Sequence, residues 1–303
     1  RLHKHTGPRL ARVAVTVAVA AAVAAVGAAE ADALGPPIER NAAFTAKFER
    51  ADAPLREAEF EHALVFFPPT YGEWRNHPFQ WRRNDPGFDG PAVYVLARNP
   101  AAEVAVLSAY PDRTVYRYRY HGEWTPAAAN HVTPLLERLD RVEGRSVRAR
   151  TTVTVPDRIR SASLTVATGA GRTTSDYSGD PPDRLVLNWT VTPDGVRVDQ
   201  PDLVGPTGQA SGGVPYRDTD EIARAVTISE PGGGTLTYRE EVLVRRTDRG
   251  VQVLWPPSSS VCPLVTDCGL EGTYLPDEPD TRPTDIAMNT TLRESSATGG
   301  ERT

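Results

Sequence analysis

The second half of the sequence alternates apolar and polar residues with a period of two, and this alternation restricts the fold more than any other feature. Residues 146–156 place five positions on one side of an extended strand: Val147, Ala149, Thr151, Val153 and Val155. Residues 185–199 and 236–255 each alternate around a short turn sequence, PDG and TDRG, as β-hairpins do. Short strands joined by Gly- and Pro-rich connections predict an antiparallel β-sandwich over residues 127–275.

Residues 36–126 show a mixed pattern that predicts a small α/β domain. Two apolar runs of strand length, at 62–68 and 92–97, precede a proline-initiated helical stretch at 100–110 and an alternating stretch at 113–120. A strand, a helix and a strand in this order form a βαβ unit with a right-handed crossover. Upstream, four apolar positions have the spacing of a helix face that packs on a core: Phe44, Phe48, Ala51 and Leu55.

The N-terminal region predicts a transmembrane helix. A basic stretch at residues 1–12 precedes residues 13–29, which are uncharged and mostly alanine and valine. At about 1.5 Å per residue this run spans roughly 26 Å, slightly less than a hydrocarbon core of about 30 Å. Pro36-Pro37 then breaks the helix, and a new helix begins near Glu39. The alternative is a secretory signal. Both interpretations place everything after about residue 30 outside the cytoplasm, and the first of them anchors the chain in the cell membrane.

Together these patterns predict an α+β multidomain chain. Its parts are a basic flank and transmembrane helix at 1–35, a small α/β domain containing the βαβ unit at 36–126, and an antiparallel β-sandwich at 127–275. Residues 276–303 are polar, contain proline and show little patterning, which predicts a disordered tail.

The connection PPTYGEWRNHPFQWRRNDPGFDG, residues 68–90, concentrates functional groups between two predicted strands. Loops of this length are usually functional or disordered, and the aromatic content of this one argues against disorder. One interpretation is contact with a glycan, through these candidate residues: Tyr71, Glu73, Trp74, His77, Trp81, Asn84 and Asp85. A second interpretation is acid–base catalysis by Glu73, His77 or Asp85. A third is a self-packed loop whose aromatic and charged side chains serve only the fold.

A second segment, residues 109–125, raises the same question with Asp112, His121, Glu123 and Trp124. Both segments adjoin strand ends of one small predicted sheet, so that their side chains could meet. A hydrolase would require Glu73 and His77 to converge with Asp112 or His121 in one cleft. The alternative is an edge strand that carries solvated arginines and tyrosines.

The remaining local signals concern covalent modification. Cys262 and Cys268 are close enough in sequence for a local disulfide in an oxidising compartment, and two free thiols are the alternative. Without a Cys-x-x-Cys pair or a nearby histidine, no zinc site is predicted. Asn188 and Asn289 each begin an N-glycosylation sequon, which has meaning for an extracytoplasmic domain.

Charge and motifs exclude several classes of function. The formal net charge of −5 argues against a nucleic-acid partner, which usually requires a basic face. The sequence contains no Gly-x-Ser-x-Gly elbow, His-Glu-x-x-His pair or P-loop, and no cofactor is predicted.

Residues 40–126 resemble a known family through the motifs YGEWRNHPFQ, RNDPGFDG, AYPDRTVYRY and GEWTP. The stretch is similar to the region after the last membrane helices in haloarchaeal proteins of the glycosyltransferase family 39 type, relatives of the dolichyl-phosphate-mannose-protein mannosyltransferases. The resemblance implies a membrane enzyme that transfers sugar from a lipid-phosphate donor. In that family the catalytic acidic residues lie in an early loop between membrane helices, which has no counterpart here, so that no catalytic residue carries over.

The leading hypothesis from the sequence is therefore a membrane-tethered extracytoplasmic region of such a transferase. It would contact a lipid-linked sugar or a glycan acceptor without a complete active site of its own. The alternative, from another class, is a secreted or anchored cell-surface β-sandwich protein that acts by protein contacts.

Overall fold

The structure is a computed structural model. It describes residues 8–69, 82–122, 132–157, 161–199, 202–204, 213–263 and 286–295. These residues form two helices and fifteen strands. The elements in chain order are α1 (Pro8–Glu57), β1 (Ala63–Phe67), β2 (Ala92–Leu96), α2 (Pro100–Ala109), β3 (Thr114–Gly122), β4 (Val132–Gly144), β5 (Val147–Thr154), β6 (Ser161–Ala167), β7 (Arg172–Tyr177), β8 (Arg184–Thr192), β9 (Gly195–Asp199), β10 (Leu203–Val204), β11 (Thr219–Ser229), β12 (Thr235–Thr247), β13 (Gly250–Trp255), β14 (Ser258–Pro263) and β15 (Met288–Ser295).

The strands form one large mixed sheet and one small antiparallel sheet. The large sheet has 11 strands in the order β10-β7-β6-β11-β12-β13-β4-β3-β1-β2, with β14 also paired to β12. β1 lies between β2 and β3 and is parallel to both, and the crossover from β2 to β3 is helix α2. The small sheet has the order β15-β5-β8-β9.

Strand β4 joins the parallel and antiparallel parts into one continuous sheet. Its residues 132–139 pair with β3, and residues 140–144 pair with β13. The predicted fold class, an α+β multidomain chain with a transmembrane helix, is therefore wrong, since the described residues are mostly β and a single large sheet runs through both predicted regions. Local periodicity cannot show that one strand has two partners, because pairing is set by long-range packing.

Both helices pack at the parallel end of the large sheet. On one face, Ala51 and Leu55 of α1 are buried with Phe67 and Tyr118, and the Tyr118 hydroxyl donates to the Ala51 carbonyl over 2.9 Å. On the opposite face, Leu107 of α2 is buried in a second cluster: Leu64, Phe66, Val93, Val115, Leu139, Leu243 and Leu254. Alternating residues of β1 and β3 supply both clusters, as expected for strands covered on both faces.

The N-terminal helix differs from its prediction in two ways. α1 continues through Pro36 and Pro37, where a break and a new helix near Glu39 were predicted, and it also contains Pro54. The fixed φ of proline is compatible with a helix, and its cost is a lost hydrogen bond rather than an obligatory end. Among the residues that the structure describes, no helix is long and apolar enough to cross a membrane, so that the predicted transmembrane helix at 13–29 is wrong.

The small sheet packs against the antiparallel part of the large sheet and closes the largest core. The inward positions predicted for residues 147–155 are all buried there, and so is Trp189 of β8. From the large sheet, β11, β12 and β13 contribute the facing residues Ile222, Val226, Tyr238, Val242 and Val253. The two sheets thus form the two layers of a sandwich.

A buried polar network lies in the middle of this apolar core. Arg224 of β11 and Glu240 of β12 are cross-strand partners, 3% and 1% exposed, with Nη2 to Oε2 at 2.5 Å. Thr151 donates to Glu240 over 2.8 Å, and Thr290 of β15 donates to the same carboxylate. The Arg224 guanidinium stacks 3.5 Å from the centre of the Trp189 ring. These contacts compensate for removing two charges from water, and burial lowers the pKa of Arg224 to about 10.

Candidate functional site

The structure describes two of the seven candidate ligand contacts. Asn84 and Asp85 lie in the described residues. The other five lie outside them: Tyr71, Glu73, Trp74, His77 and Trp81. The glycan-contact interpretation depends mainly on those five and stays a prediction. The described segment 82–90 returns along β2, which is the edge strand of the large sheet.

Asn84 closes the free edge of β2. Its side-chain nitrogen donates to the Tyr94 carbonyl over 2.9 Å, and its side-chain oxygen accepts from the Tyr94 amide over 2.8 Å. The amide group thus reproduces the pair of hydrogen bonds that another strand would make, and it blocks the edge against further strand pairing. Asn84 therefore has a structural role that accounts for both ends of its side chain.

Replacing Asn84 with alanine is expected to lower the free energy of unfolding by about 1–2 kcal/mol, because both polar groups of Tyr94 lose their partner. Chemical denaturation checks this value. Asn84→Asp keeps the acceptor and loses the donor, and we expect an intermediate result. Wild-type stability of the alanine variant would contradict the role of Asn84 at the edge.

Asp85 organises a tight turn. Its carboxylate accepts from the backbone N–H groups of Gly87, Asp89 and Gly90 at 2.9–3.2 Å. A side-chain hydrogen bond with Asp89, together with these backbone donors, lowers the pKa of Asp85 to about 2. A carboxylate stabilised in this way is a poor general base at neutral pH, which argues against the catalytic interpretation of Asp85.

The turn presents Phe88 in a strained conformation. Phe88 has a φ of 55°, a region that large side chains rarely adopt, and its side chain is 47% exposed. The buried Arg113 fixes the turn, since its guanidinium donates to the carbonyls of Phe88, Gly90 and Ala63 over 2.9–3.2 Å. Strain that the surrounding structure maintains is a common feature of ligand-contact sites.

Phe88 borders a groove of about 330 Å³ along the edge strand, which we call the edge groove. Its lining comes from the turn, from β2 and its C-terminal extension, and from α2 with the residue that follows it: Phe88, Val93, Tyr94, Val95, Leu96, Arg98, Val106 and Tyr110. Val93, Val95, Val106 and Tyr110 pack with the cluster under α2, whereas the side chains of Tyr94 and Leu96 pack on the opposite face of the sheet, and Arg98 is the charged residue of the lining. Such a mostly apolar groove with a single charged group can bind an apolar moiety and orient an attached anion.

Sequence reasoning missed the residues of this groove. Phe88 stood out only as one aromatic residue among many, and Tyr94 and Tyr110 fell in segments that predicted a strand and a helix end. The usable signal was the NDPGFDG sequence, because a phenylalanine inside a Gly- and Asp-rich turn has little opportunity for burial.

Asp112 and His121 lie at opposite ends of β3. Asp112 precedes the strand and His121 is near its end, so that at about 3.3 Å per residue they are roughly 30 Å apart. Burial lowers the pKa of His121. These two side chains do not share a cleft. The hydrolase hypothesis requires only one of them to meet Glu73 and His77, which lie outside the described residues, so that it stays a prediction. Glu123 and Trp124 lie outside the described residues.

Carboxylates from three elements meet beneath α2. Burial, with Glu241 of β12 nearby and Arg117 opposing, raises the pKa of Glu103 of α2 to about 7. Partial desolvation and the same two carboxylates raise the pKa of Glu221 of β11 to about 7, although its side chain is exposed. Arg239 forms an ion pair with Glu241 at 2.6 Å. Packing of α2 on the sheet therefore disfavours ionisation of Glu103.

This arrangement predicts a pH-dependent stability. The folded-state pKa of Glu103 is about 7 against an ordinary value of 4.5, so that the folded chain holds the proton more tightly and stability falls as the pH rises between these values. At pH 8, Glu103→Gln should therefore have a free energy of unfolding about 1–2 kcal/mol higher than wild type, and it should unfold at a higher temperature. At pH 5 the two proteins should differ little. Thermal unfolding at both pH values, with the exposed Glu49→Gln as control, checks this; an equal effect at both would contradict it.

The modification candidates occupy defined positions. Cys262 of β14 is buried and disulfide-bonded, and Cys268 lies outside the described residues. Asn188 of β8 and Asn289 of β15 are both exposed. Both belong to the outer face of the small sheet, because the residues adjacent to them, Trp189 and Met288, point inward. In the described part of the chain, no cluster of three or more candidate ligands could hold a metal ion.

Comparison with known proteins gives one family. A family model described as "Domain of unknown function (DUF7846)" matches residues 63–242, which include the edge groove, the carboxylate cluster and most of both sheets. No curated protein and no solved structure matches the chain. Nothing in these comparisons indicates a glycosyltransferase. The classification of the chain as part of a membrane glycosyltransferase is therefore corrected to a β-rich domain. The resemblance over residues 40–126 stays untested.

Proposed function

We propose that this chain, which belongs to the DUF7846 domain family, is a recognition domain. Its edge groove binds an apolar side chain of a partner protein. The observation that carries this proposal is Phe88, an exposed aromatic residue held at a positive φ beside the groove. The proposal develops the alternative hypothesis from the sequence, a β-sandwich protein that acts by contacts with other proteins.

The chemistry of the groove favours a side chain over a sugar. Recognition of a sugar ring requires several hydrogen-bonding groups for its hydroxyls, whereas this lining is mainly aromatic and aliphatic, with Arg98 as its charged member. Aromatic and aliphatic anchors in such pockets supply most of the binding energy at protein interfaces. Arg98 would pair with a carboxylate beside the anchor.

The position of the groove also suits contact with a partner. It lies on the outer edge of the large sheet, and the hydrogen bonds of Asn84 to Tyr94 block strand addition at this point. Binding would therefore depend on side chains rather than on backbone pairing, in contrast to β-strand addition.

Ligand-observed NMR with 3-phenylpropionate tests the proposal, since this probe combines an aromatic ring with a carboxylate. We expect saturable binding that Phe88→Ala and Arg98→Gln each weaken by about tenfold, as for a residue at the centre of a contact. Methyl glucoside, which has hydroxyls and no apolar ring, is expected not to bind.

A matched control is Ile38→Ala, which also removes an exposed apolar side chain (63% exposed) but lies on α1 away from the groove. It should leave binding unchanged. If the Phe88 and Arg98 variants unfold at the same temperature as wild type, their weaker binding reflects lost contacts with the probe and not a loss of the fold. Equal binding of wild type and both variants, or a preference for methyl glucoside, would contradict the proposal.

A further inference from the structure

The outer face of the small sheet carries a group of arginines, which we call the arginine face. Alternation along the strands directs every second residue outward, and five arginines occupy such positions or the bulge in β15: Arg148, Arg150, Arg184, Arg197 and Arg293. Four of them are exposed and Arg150 is half-exposed.

The strand register groups most of these arginines closely. Arg148 is opposite Thr190, which is opposite Arg197 on the next strand, so that two guanidinium groups share a row about 10 Å long. Arg150 is opposite Asn188 in the adjacent row, about 7 Å along the strand. Arg293 lies at the β15 bulge beside the same end of β5.

Many arginines outside this face have partners within the fold. Arginines elsewhere donate hydrogen bonds to carbonyls, hydroxyls or carboxylates, among them Arg56, Arg83, Arg113, Arg117, Arg119, Arg141, Arg224, Arg239, Arg245 and Arg246. Within the described ranges, no ion pair involves Arg150, Arg184, Arg197 or Arg293. Two described acidic residues lie in these rows: Asp199 is opposite Asn188, and Glu294 is opposite Arg148. The chain as a whole has a net charge of −5, so that the excess of positive charge is a local feature of the arginine face.

We propose that the arginine face binds an acidic polysaccharide, through its carboxylate groups. Guanidinium groups pair with carboxylates in a bidentate manner, and the interleaved Thr152, Thr190 and Asn188 offer hydrogen bonds to sugar hydroxyls. The face is flat, and the described part of it has no aromatic side chain. Protein interfaces usually centre on aromatic or other large apolar anchors, and single-stranded nucleic acids stack on aromatic rings, so that a linear polyanion is the partner that fits this chemistry.

The test uses polygalacturonate as the probe and dextran, a neutral polysaccharide, as its control. We expect the full chain to bind polygalacturonate in calorimetry at low ionic strength, to lose affinity as salt is added, and not to bind dextran. The double variant Arg150→Glu, Arg197→Glu should lose affinity by about tenfold or more. Arg138→Glu makes the same charge change at a site on β4 that is 69% exposed, and it should bind as wild type does.

Other outcomes overturn the proposal in specific ways. Tighter binding of polyglutamate than of polygalacturonate would indicate an acidic protein as the partner, and tighter binding of an oligonucleotide would indicate nucleic acid. Equal affinity of wild type and the double variant would remove the arginine face as the site. If the double variant unfolds, Arg150→Gln with Arg197→Gln repeats the comparison without introducing new negative charge.

Discussion

Replacing Glu240 with leucine is expected to lower the free energy of unfolding by about 3–5 kcal/mol, because the change leaves Arg224 charged, buried and without its carboxylate. The loss extends beyond one ion pair, since Thr151 and Thr290 also donate to Glu240. Equilibrium unfolding by guanidinium, followed by tryptophan fluorescence, gives the free energy directly, and Trp189 lies against Arg224.

The double variant Arg224→Met, Glu240→Leu distinguishes the effect of leaving one charge buried alone from the effect of removing both charges. With both charges absent, no uncompensated charge remains, and we expect stability to return to within about 1–2 kcal/mol of wild type. The single variant must therefore be less stable than the double variant. The opposite order would show that the two charges do not depend on each other as the structure indicates.

Gly250→Ala is expected to destabilise the chain by roughly 2–5 kcal/mol, through both strain and a steric clash. Gly250 begins β13 with a φ of 133°, a conformation that alanine rarely adopts. A Cβ placed there would lie 2.7 Å from the Cα of Arg145 and closer still to the Gly144 carbonyl oxygen, both of them backbone atoms. Thermal and chemical unfolding check the value.

Gly232→Ala provides the control for that measurement. A Cβ at Gly232 would meet no atom within 4 Å, and its φ is not in the region reserved for glycine. We therefore expect a change of about 0.5 kcal/mol or less. Equal destabilisation by both substitutions would mean that the close packing of β13 against β4 at Gly144 is not maintained in solution.

The local elements of this fold could be predicted from the sequence. Alternation in residues 147–155 and in the two hairpins identified β5, β8, β9, β12 and β13 and the residues that they bury. The helix start at Pro100 was also visible, and Asn99 caps it by accepting from the Ala102 amide over 2.9 Å. These features depend on neighbours in the chain, so that the sequence carries them directly.

Long-range arrangement could not be predicted in the same way. Nothing in the pattern of β4 indicates that it pairs with β3 and β13, or that β12 holds both β13 and β14 along one edge. Periodicity places Arg224 inward while its charge suggests an outward position, and only the cross-strand Glu240 resolves that conflict. Asn84 is a similar case, because its role depends on the edge of a strand ten residues away.

The small sheet has a consequence for the order in which the chain can fold during synthesis. Its strand β15 pairs with β5, and the contact between Thr151 and Thr290 joins residues 139 positions apart. A ribosome that adds about 5–20 residues per second needs roughly 7–28 seconds to make that interval. Throughout that time β5 has an unpaired edge, and the Glu240 carboxylate has yet to receive the Thr290 hydroxyl. The nascent chain is therefore exposed to strand-mediated misassembly until its last described strand emerges.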